Sequence, residues 1–329
     1  MIFLFKLLLS IYEKADKQER KVIRLALELV RRILIRLGDP AYSTEIRGKR
    51  LILPISHKLP IYIMDYPLYD TLPTRVANYL RLRDGMLIMM DIGANVGDTI
   101  LACSIVAKND RFLGVEANPE FVRFLKKNTS DIEGFVLVEA FCHSGDTKQP
   151  YVRIESVGGT ARVMEANDGY ALPKKTVDEI LTEFPEFRNF NFLKIDTDGN
   201  DFDILKGAQQ SIAAGRPIIL MECDAFGNVH YVEDVLSAID SLASVGYSTV
   251  IAYDNFGNYF CTFATSDPSS FLNAIAYQVI SEFGYYDLLF LSEKDLEFAQ
   301  NEKDFFSLYA GEKGLSVIVQ KALRISVEQ

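Results

Sequence analysis

The sequence predicts a doubly wound α/β fold with a mostly parallel sheet, preceded by an N-terminal helical and β extension. Three observations lead there. First, an apolar run from Met86 to Met90 ends at Asp91, passes through Gly93 and Gly97, and enters a helical pattern near Asp98. That is the strand, tight turn and helix entry of such sheets. Second, strand-like and helical segments alternate beyond residue 86, which implies right-handed crossovers between parallel strands. Third, five successive core strands each finish on an acid: Asp91, Glu116, Glu139, Asp196 and Glu222. Ligands bind outside the carboxyl ends of such strands, so five acids there point to a site for cations and hydroxyls.

Residues 1–85 read as the extension and residues 86–329 as the main domain. Residues 1 to about 38 are expected to be helical, most clearly from Lys21 to Leu37, where Ile23, Leu27, Val30, Leu34 and Leu37 form an apolar stripe. This helix suits packing on its own domain or on a twin in a homodimer. Its basic flank also suits peripheral contact with an anionic membrane. Gly38-Asp39-Pro40 stops it. Short strand-like pieces follow, including Arg50 to Ile55 and Ile61 to Met64, then a helix around Thr74 to Arg81.

In the main domain, strands are expected at Arg111–Glu116, Phe135–Glu139, Phe192–Ile195 and Ile218–Met221, with helices after each turn. Asn118-Pro119 starts one helix, Val177–Phe184 forms another, and Val232–Leu242 a third. Tyr151–Ile154 is strand-like and precedes Gly158-Gly159-Thr160. Tyr247–Tyr253 and Tyr259–Phe263 flank a hairpin turn at Asn255–Asn258. A last helix (Phe271–Ile280) and strand (Leu288–Leu291) complete the pattern. Which late strand runs antiparallel is left open by periodicity.

The totals narrow the function. With 49% hydrophobic and 24% charged residues the chain is globular. The formal net charge of −10 argues against a broad nucleic-acid-binding face. Residues 1–37 carry nine Lys/Arg against four Asp/Glu, a net of +5, which leaves −15 on the remainder. Cys103, Cys142, Cys223 and Cys261 form no C-x-x-C pair, so a reducing compartment is the default. Met1 to Ser10 is interrupted by Lys6 and is short of the roughly 20 residues a span requires. The expectation is a cytoplasmic protein, at most peripheral to a membrane.

The turn Gly93-Ala94-Asn95-Val96-Gly97 departs from the G-x-G-x-x-G of dinucleotide sites. Asp91 and Asp98 would repel a pyrophosphate but suit a cationic amine. S-adenosylmethionine, with an ammonium and a sulfonium, fits that charge better than a nicotinamide dinucleotide. Glu116 lies nineteen residues beyond Gly97, close to the roughly 20-residue spacing at which an acid meets ribose hydroxyls. The alternative is a nicotinamide-dependent oxidoreductase with the same crevice. A non-catalytic scaffold acting through its basic N-terminal helix is a third class.

Five stretches carry a more specific resemblance: DIGANVGDT (Asp91 to Thr99), GVEANPE (Gly114 to Glu120), TVDEIL (Thr176 to Leu181), LKIDTDGNDFDILKGA (Leu193 to Ala208) and ILMECD (Ile219 to Asp224). In this order they resemble the motifs of FkbM-type S-adenosylmethionine-dependent methyltransferases. The resemblance spans roughly Met86 to Asp224. It implies a class I methyltransferase (Rossmann-like) fold and O-methylation of a hydroxyl on a sugar or glycoconjugate. It also implies that Gly93, Asn95 and Gly97 shape the methionine end of the cofactor, with Asp91 on the ammonium and Asp98 beside it. Glu116 would take the ribose hydroxyls, with Ala117 and Asn118 alongside. Glu139 and Ala140 would flank the adenine, and Asp196 would face the methyl group. Where the family usually shows Glu, this chain has Asp198, which keeps the charge with a shorter reach.

A sugar hydroxyl is a poor nucleophile, so a general base helps by roughly 10²–10⁴-fold. Asp196 and His230 are the candidates; His143 and His57 read as incidental. The Asp196–Asp203 acids are not an EF-hand loop, because Gly199 is fourth rather than sixth. Asp196, Glu222 and Asp224 are the one set weighed for Mg²⁺, and no metal is expected. The acceptor-facing pieces are expected in Gly158–Thr160, the loop after Glu222 and the C-terminal segment. The sequence contains no nucleophile elbow, P-loop or H-E-x-x-H motif.

Overall fold

The structure, a computed structural model, describes residues 1–104, 109–145, 149–225, 228–281 and 284–314. The N-terminal stretch is two helices rather than one, α1 (Ile2–Lys14) and α2 (Lys17–Arg36). Asp16 makes the break: its carboxylate accepts the N–H groups of Gln18 and Glu19, and the Glu19 side chain accepts the Asp16 N–H. This reciprocal cap starts a new helix. Leu27, Val30 and Leu34 are buried as the stripe requires, whereas Leu37 is exposed.

A hairpin of β1 (Ala41–Ile46) and β2 (Lys49–Pro54) follows. Ile61–Met64 lies in a helix, α3 (Leu59–Asp65), where a strand was expected. Pro60 at the first turn presets a helical φ, and Ile61 is buried. Then α4 (Leu72–Asp84) ends on Gly85 in the left-handed conformation.

The main domain continues with β3 (Ile88–Ile92), α5 (Asp98–Cys103), β4 (Arg111–Glu116), α6 (Pro119–Asn128), β5 (Phe135–Glu139) and β6 (Phe141–Cys142). Next are β7 (Tyr151–Val157), β8 (Thr160–Ala166), β9 (Lys174–Lys175), α7 (Val177–Glu183), β10 (Phe192–Ile195), α8 (Asp201–Lys206) and α9 (Gln209–Gly215). The chain proceeds through β11 (Ile218–Cys223), α10 (Tyr231–Ser244), β12 (Tyr247–Asp254), β13 (Tyr259–Ala264), α11 (Ser269–Ser281), β14 (Tyr286–Ser292) and α12 (Leu296–Glu312).

Eight strands form the main sheet in the order β13-β12-β14-β11-β10-β3-β4-β5. The five from β11 to β5 are parallel. The open question about the late strands is resolved by β14, which inserts between β11 and β12 and runs antiparallel to both. Strand β13 closes that edge, antiparallel to β12. This is the class I methyltransferase fold.

Every residue of β3, β10 and β11 is buried, as for strands covered on both faces. Side chains of α7 to α10 pack one face, and those of α4, α5 and α12 the other. The extension buries Phe5, Leu27, Leu34, Leu51 and Leu53 in a third cluster with Val96, Phe121 and Phe124. The back of the glycine turn and α6 therefore rest on residues 1–64.

Candidate active site

Gly93 leaves β3 with φ 86°, and its N–H and that of Ala94 both donate to the Val115 carbonyl at 2.9 Å. A Cβ at Gly93 would overlap the backbone carbonyl of Asp196, and one at Gly97 (φ 83°) would overlap Leu125. Only glycine lets the turn lie against β10 and α6 at both points. Glu116 clamps the turn from β4. One carboxylate oxygen accepts the Asn95 N–H and the other the Asn118 N–H, each at 2.7 Å. Burial pushes the Glu116 carboxyl up to about 7 against the pull of those donors.

Asp91 is fully buried. Lys194 Nζ lies 3.3 Å from its Oδ1 and donates to Asp196 Oδ2 at 2.9 Å. Burial opposes the Lys194 charge, but Asp196 and Asp91 outweigh it and hold the ammonium well above its ordinary value. Burial pushes Asp91 up to about 6, and its Oδ2 has no hydrogen-bond partner among the described residues.

In front of the turn is a cleft of about 470 Å³. Gly93, Asn95, Glu116, Ala117, Ala140 and Asp196 meet in it, joined by Thr197, Asp198 and Asn200 over an apolar floor that includes Phe121, Phe141 and Ile204. The other candidates stand elsewhere. Asp91, in β3 beside Lys194, and Gly97 do not line the cleft. Asp98 heads α5 and lines a different hollow, with Arg47 and Asp70. Asn118 caps α6 through its side-chain oxygen, and its amide donates to Ser156. Glu139 is exposed and paired with Lys126 at 2.5 Å. His230 is exposed at the head of α10 and lines neither this cleft nor the one described next.

Asp196 also lines a second cleft, of about 560 Å³, with Tyr69, Asp70, Lys194, Glu222, Asn255, Tyr285 and Asp287. Glu222 is 5% exposed; its Oε2 and the Asn255 Oδ1 are buried without a hydrogen-bond partner among the described residues. Burial, and then the nearby Asp196, push Glu222 and Asp287 well above the carboxylate range; burial pushes Asp70 up to about 7. Among the described residues no group of three or more His, Cys, Asp or Glu is placed to hold a metal ion. Part of the loop after Glu222, residues 226–227, lies outside the described residues.

The β7–β8 hairpin roofs the first cleft, a role not apparent from the sequence. Asn95 Nδ2 donates to the Gly159 carbonyl at 2.8 Å, and Asn200 Nδ2 to the Val163 carbonyl at 2.8 Å. Asp198 accepts the Ala161 N–H at 3.1 Å. The hairpin is thus tied to the loops after β3 and β10. His57, which read as incidental, is buried under the hairpin tip: its ring lies 3.4 Å from Asn95 Oδ1 and fills the space a Cβ on Gly159 would need.

A profile of the methyltransferase FkbM domain matches residues 91–249, from the last acid of β3 into β12. Residues 91–249 are a methyltransferase FkbM domain. The protein is accordingly an S-adenosylmethionine-dependent methyltransferase, and the nicotinamide oxidoreductase alternative falls away. No curated protein matches the chain.

Among solved structures, precorrin-6y C5,15-methyltransferase of Geobacter metallireducens GS-15 is 15% identical over 68% of this chain and 88% of its own, with TM-score 0.36. The methyltransferase FkbM of Methylobacillus flagellatus KT is 15% identical over 57% of this chain, TM-score 0.36, and this chain spans 47% of its length. An O-methyltransferase from Bacillus cereus in complex with SAH is 10% identical over 68% and 81%, TM-score 0.39.

Proposed function

We propose that this FkbM-type methyltransferase methylates a hydroxyl of a carbohydrate or glycoconjugate, with S-adenosylmethionine in the roofed cleft and the acceptor in the acidic one. The cofactor supplies an electrophilic methyl group on a positively charged sulfur. The residues present suit it. Gly93, Asn95 and Glu116 line the cleft, and Thr197 Oγ1 in the lining is buried without a hydrogen-bond partner among the described residues. Asn95, Glu116 and Ala117 would hold the nucleoside and methionine parts, with Ala140 and Phe141 against the base.

The observation that carries the proposal is Asp196, which lines both clefts. Its side chain is about half exposed and is held by Lys194. From there it can take the proton of an acceptor hydroxyl as the oxygen attacks. Glu222 Oε2 and Asn255 Oδ1, buried without partners among the described residues, call for polar partners, and a hydroxyl, which both donates and accepts, can supply them. The leaving group is already good, so alignment across the shared wall supplies the rest.

The test is to incubate the protein with labelled methyl donor and a panel of glycans. A label that survives mild base as a methyl ether supports the reading. A label found only on carboxyl or amine groups overturns it.

A further inference from the structure

We propose that the α1–α2 pair is a docking surface for an anionic phospholipid bilayer. Each helix has two apolar stripes. The inner ones, Phe5 and Leu9 on α1 and Leu27 and Leu34 on α2, are buried in the extension's core. The outer ones run along Phe3, Leu7 and Ile11 on α1 and along Val22, Leu25 and Leu29 on α2, and all six side chains are exposed. Phe3 is 80% exposed, Leu25 74% and Leu29 61%. Of the 22 exposed large hydrophobic residues among the described ones, 11 fall within the first 37. A face of that density is an interaction surface, not scattered surface apolarity.

Charge selects the occupant. Some cations of the pair are spent inside the protein: Arg20 on backbone carbonyls, Arg24 on Asp65, and Arg31 on Glu28. Lys6, Lys14, Lys17, Lys21 and Arg36 are exposed and form no ion pair among the described residues. They border the outer stripes. A second copy of this surface would bring the same five cations against themselves. A bilayer with anionic head groups offers what both features require: acyl chains for Leu25 and Leu29, and negative charge for the lysines. No described helix is long and apolar enough to cross a membrane, so the pair would lie in the interface. The −15 on the rest of the chain would turn the remaining surface away from the bilayer.

The test is co-sedimentation of the full chain with vesicles of equal parts phosphatidylcholine and phosphatidylglycerol, and with phosphatidylcholine alone. Binding to the anionic vesicles only is expected, weakening as salt rises from about 0.05 to about 0.5 M. The Leu25→Glu/Leu29→Glu variant should lose at least about tenfold of that binding. Its thermal unfolding and S-adenosylhomocysteine affinity should be unchanged, because both side chains already face solvent. No sedimentation with anionic vesicles, or equal binding to both vesicle types, overturns the proposal. So does a dimer in ultracentrifugation that the double variant dissolves, since the face would then be a protein interface.

Discussion

The α-carbon of Gly93 lies so close to the main-chain carbonyl of Asp196 that no side chain fits between them. The cofactor turn and the proposed base are thereby one unit: the end of β3 sets where the end of β10 can stand. Gly93→Ala should break both functions at once. The new methyl group overlaps backbone, and alanine at φ 86° is strained, a cost of roughly 1–3 kcal/mol. Isothermal titration should show S-adenosylhomocysteine affinity down at least about tenfold, the equivalent of about 1.4 kcal/mol. A variant that binds and turns over normally would mean the turn has slack this geometry denies.

Asp196→Asn separates chemistry from binding. The amide oxygen can still accept from Lys194, but the carboxylate that takes the hydroxyl proton is gone. Turnover should fall by roughly 10²–10⁴-fold, with cofactor affinity nearly unchanged. His230→Ala is the comparison, and should turn over at close to the wild-type rate, because His230 is exposed at the head of α10 and lines neither cleft. A swap of the two outcomes would move the base to His230.

The roof can be loosened without touching the turn. Asn200→Ala removes the bond to the Val163 carbonyl, a loss of about 1 kcal/mol. Hydrogen exchange should speed up across β8, and KM for S-adenosylmethionine should rise several-fold with kcat at saturation preserved. Exchange that stays slow would show that the bonds from Asn95 and Asp198 hold the hairpin by themselves.

The parts legible in the sequence are those set by short-range pattern. The apolar run, the two glycines and the acids at strand ends fix the turn and the parallel half of the sheet, because period and backbone sterics act locally. The Asp16–Glu19 cap was also written locally, but helix-favouring residues on both sides of it hid the break. Ile61–Met64 reads as strand from its β-branched and aromatic residues, yet Pro60 and burial against the extension's core make it helix. Helix α12 escaped notice because Glu302 occupies its buried face; the ion pair that makes this tolerable comes from Arg75, in α4 at the far end of the chain. The roof was invisible for a simpler reason. Its acceptors are the carbonyls of Gly159 and Val163, and any residue carries one. The second cleft draws Asp70 and Asp287 from distant segments, and β14's insertion, a long-range pairing, brings Asp287 in.

The buried acids make stability depend on pH in an unusual direction. Burial raises Glu116 to about 7, Asp201 to about 7 and Asp91 to about 6, from ordinary values of 4.5, 3.8 and 3.8. Between the ordinary and raised values the folded chain holds protons that the unfolded chain has released. Stability contributed by these groups is full below about pH 4 and is lost as pH rises through 6 to 7. His57 works the other way: burial lowers it, so the unfolded chain gains a proton below about 6.5 that the folded chain refuses. One histidine stands against at least three acids, so the acids set the sign. Urea unfolding should therefore give a larger free energy at pH 5.5 than at pH 7.5, by more than about 1 kcal/mol, roughly what a single group shifted by one unit supplies. Equal or lower stability at pH 5.5 would mean that these carboxyls stay ionised in the fold, held by water or by partners within the site.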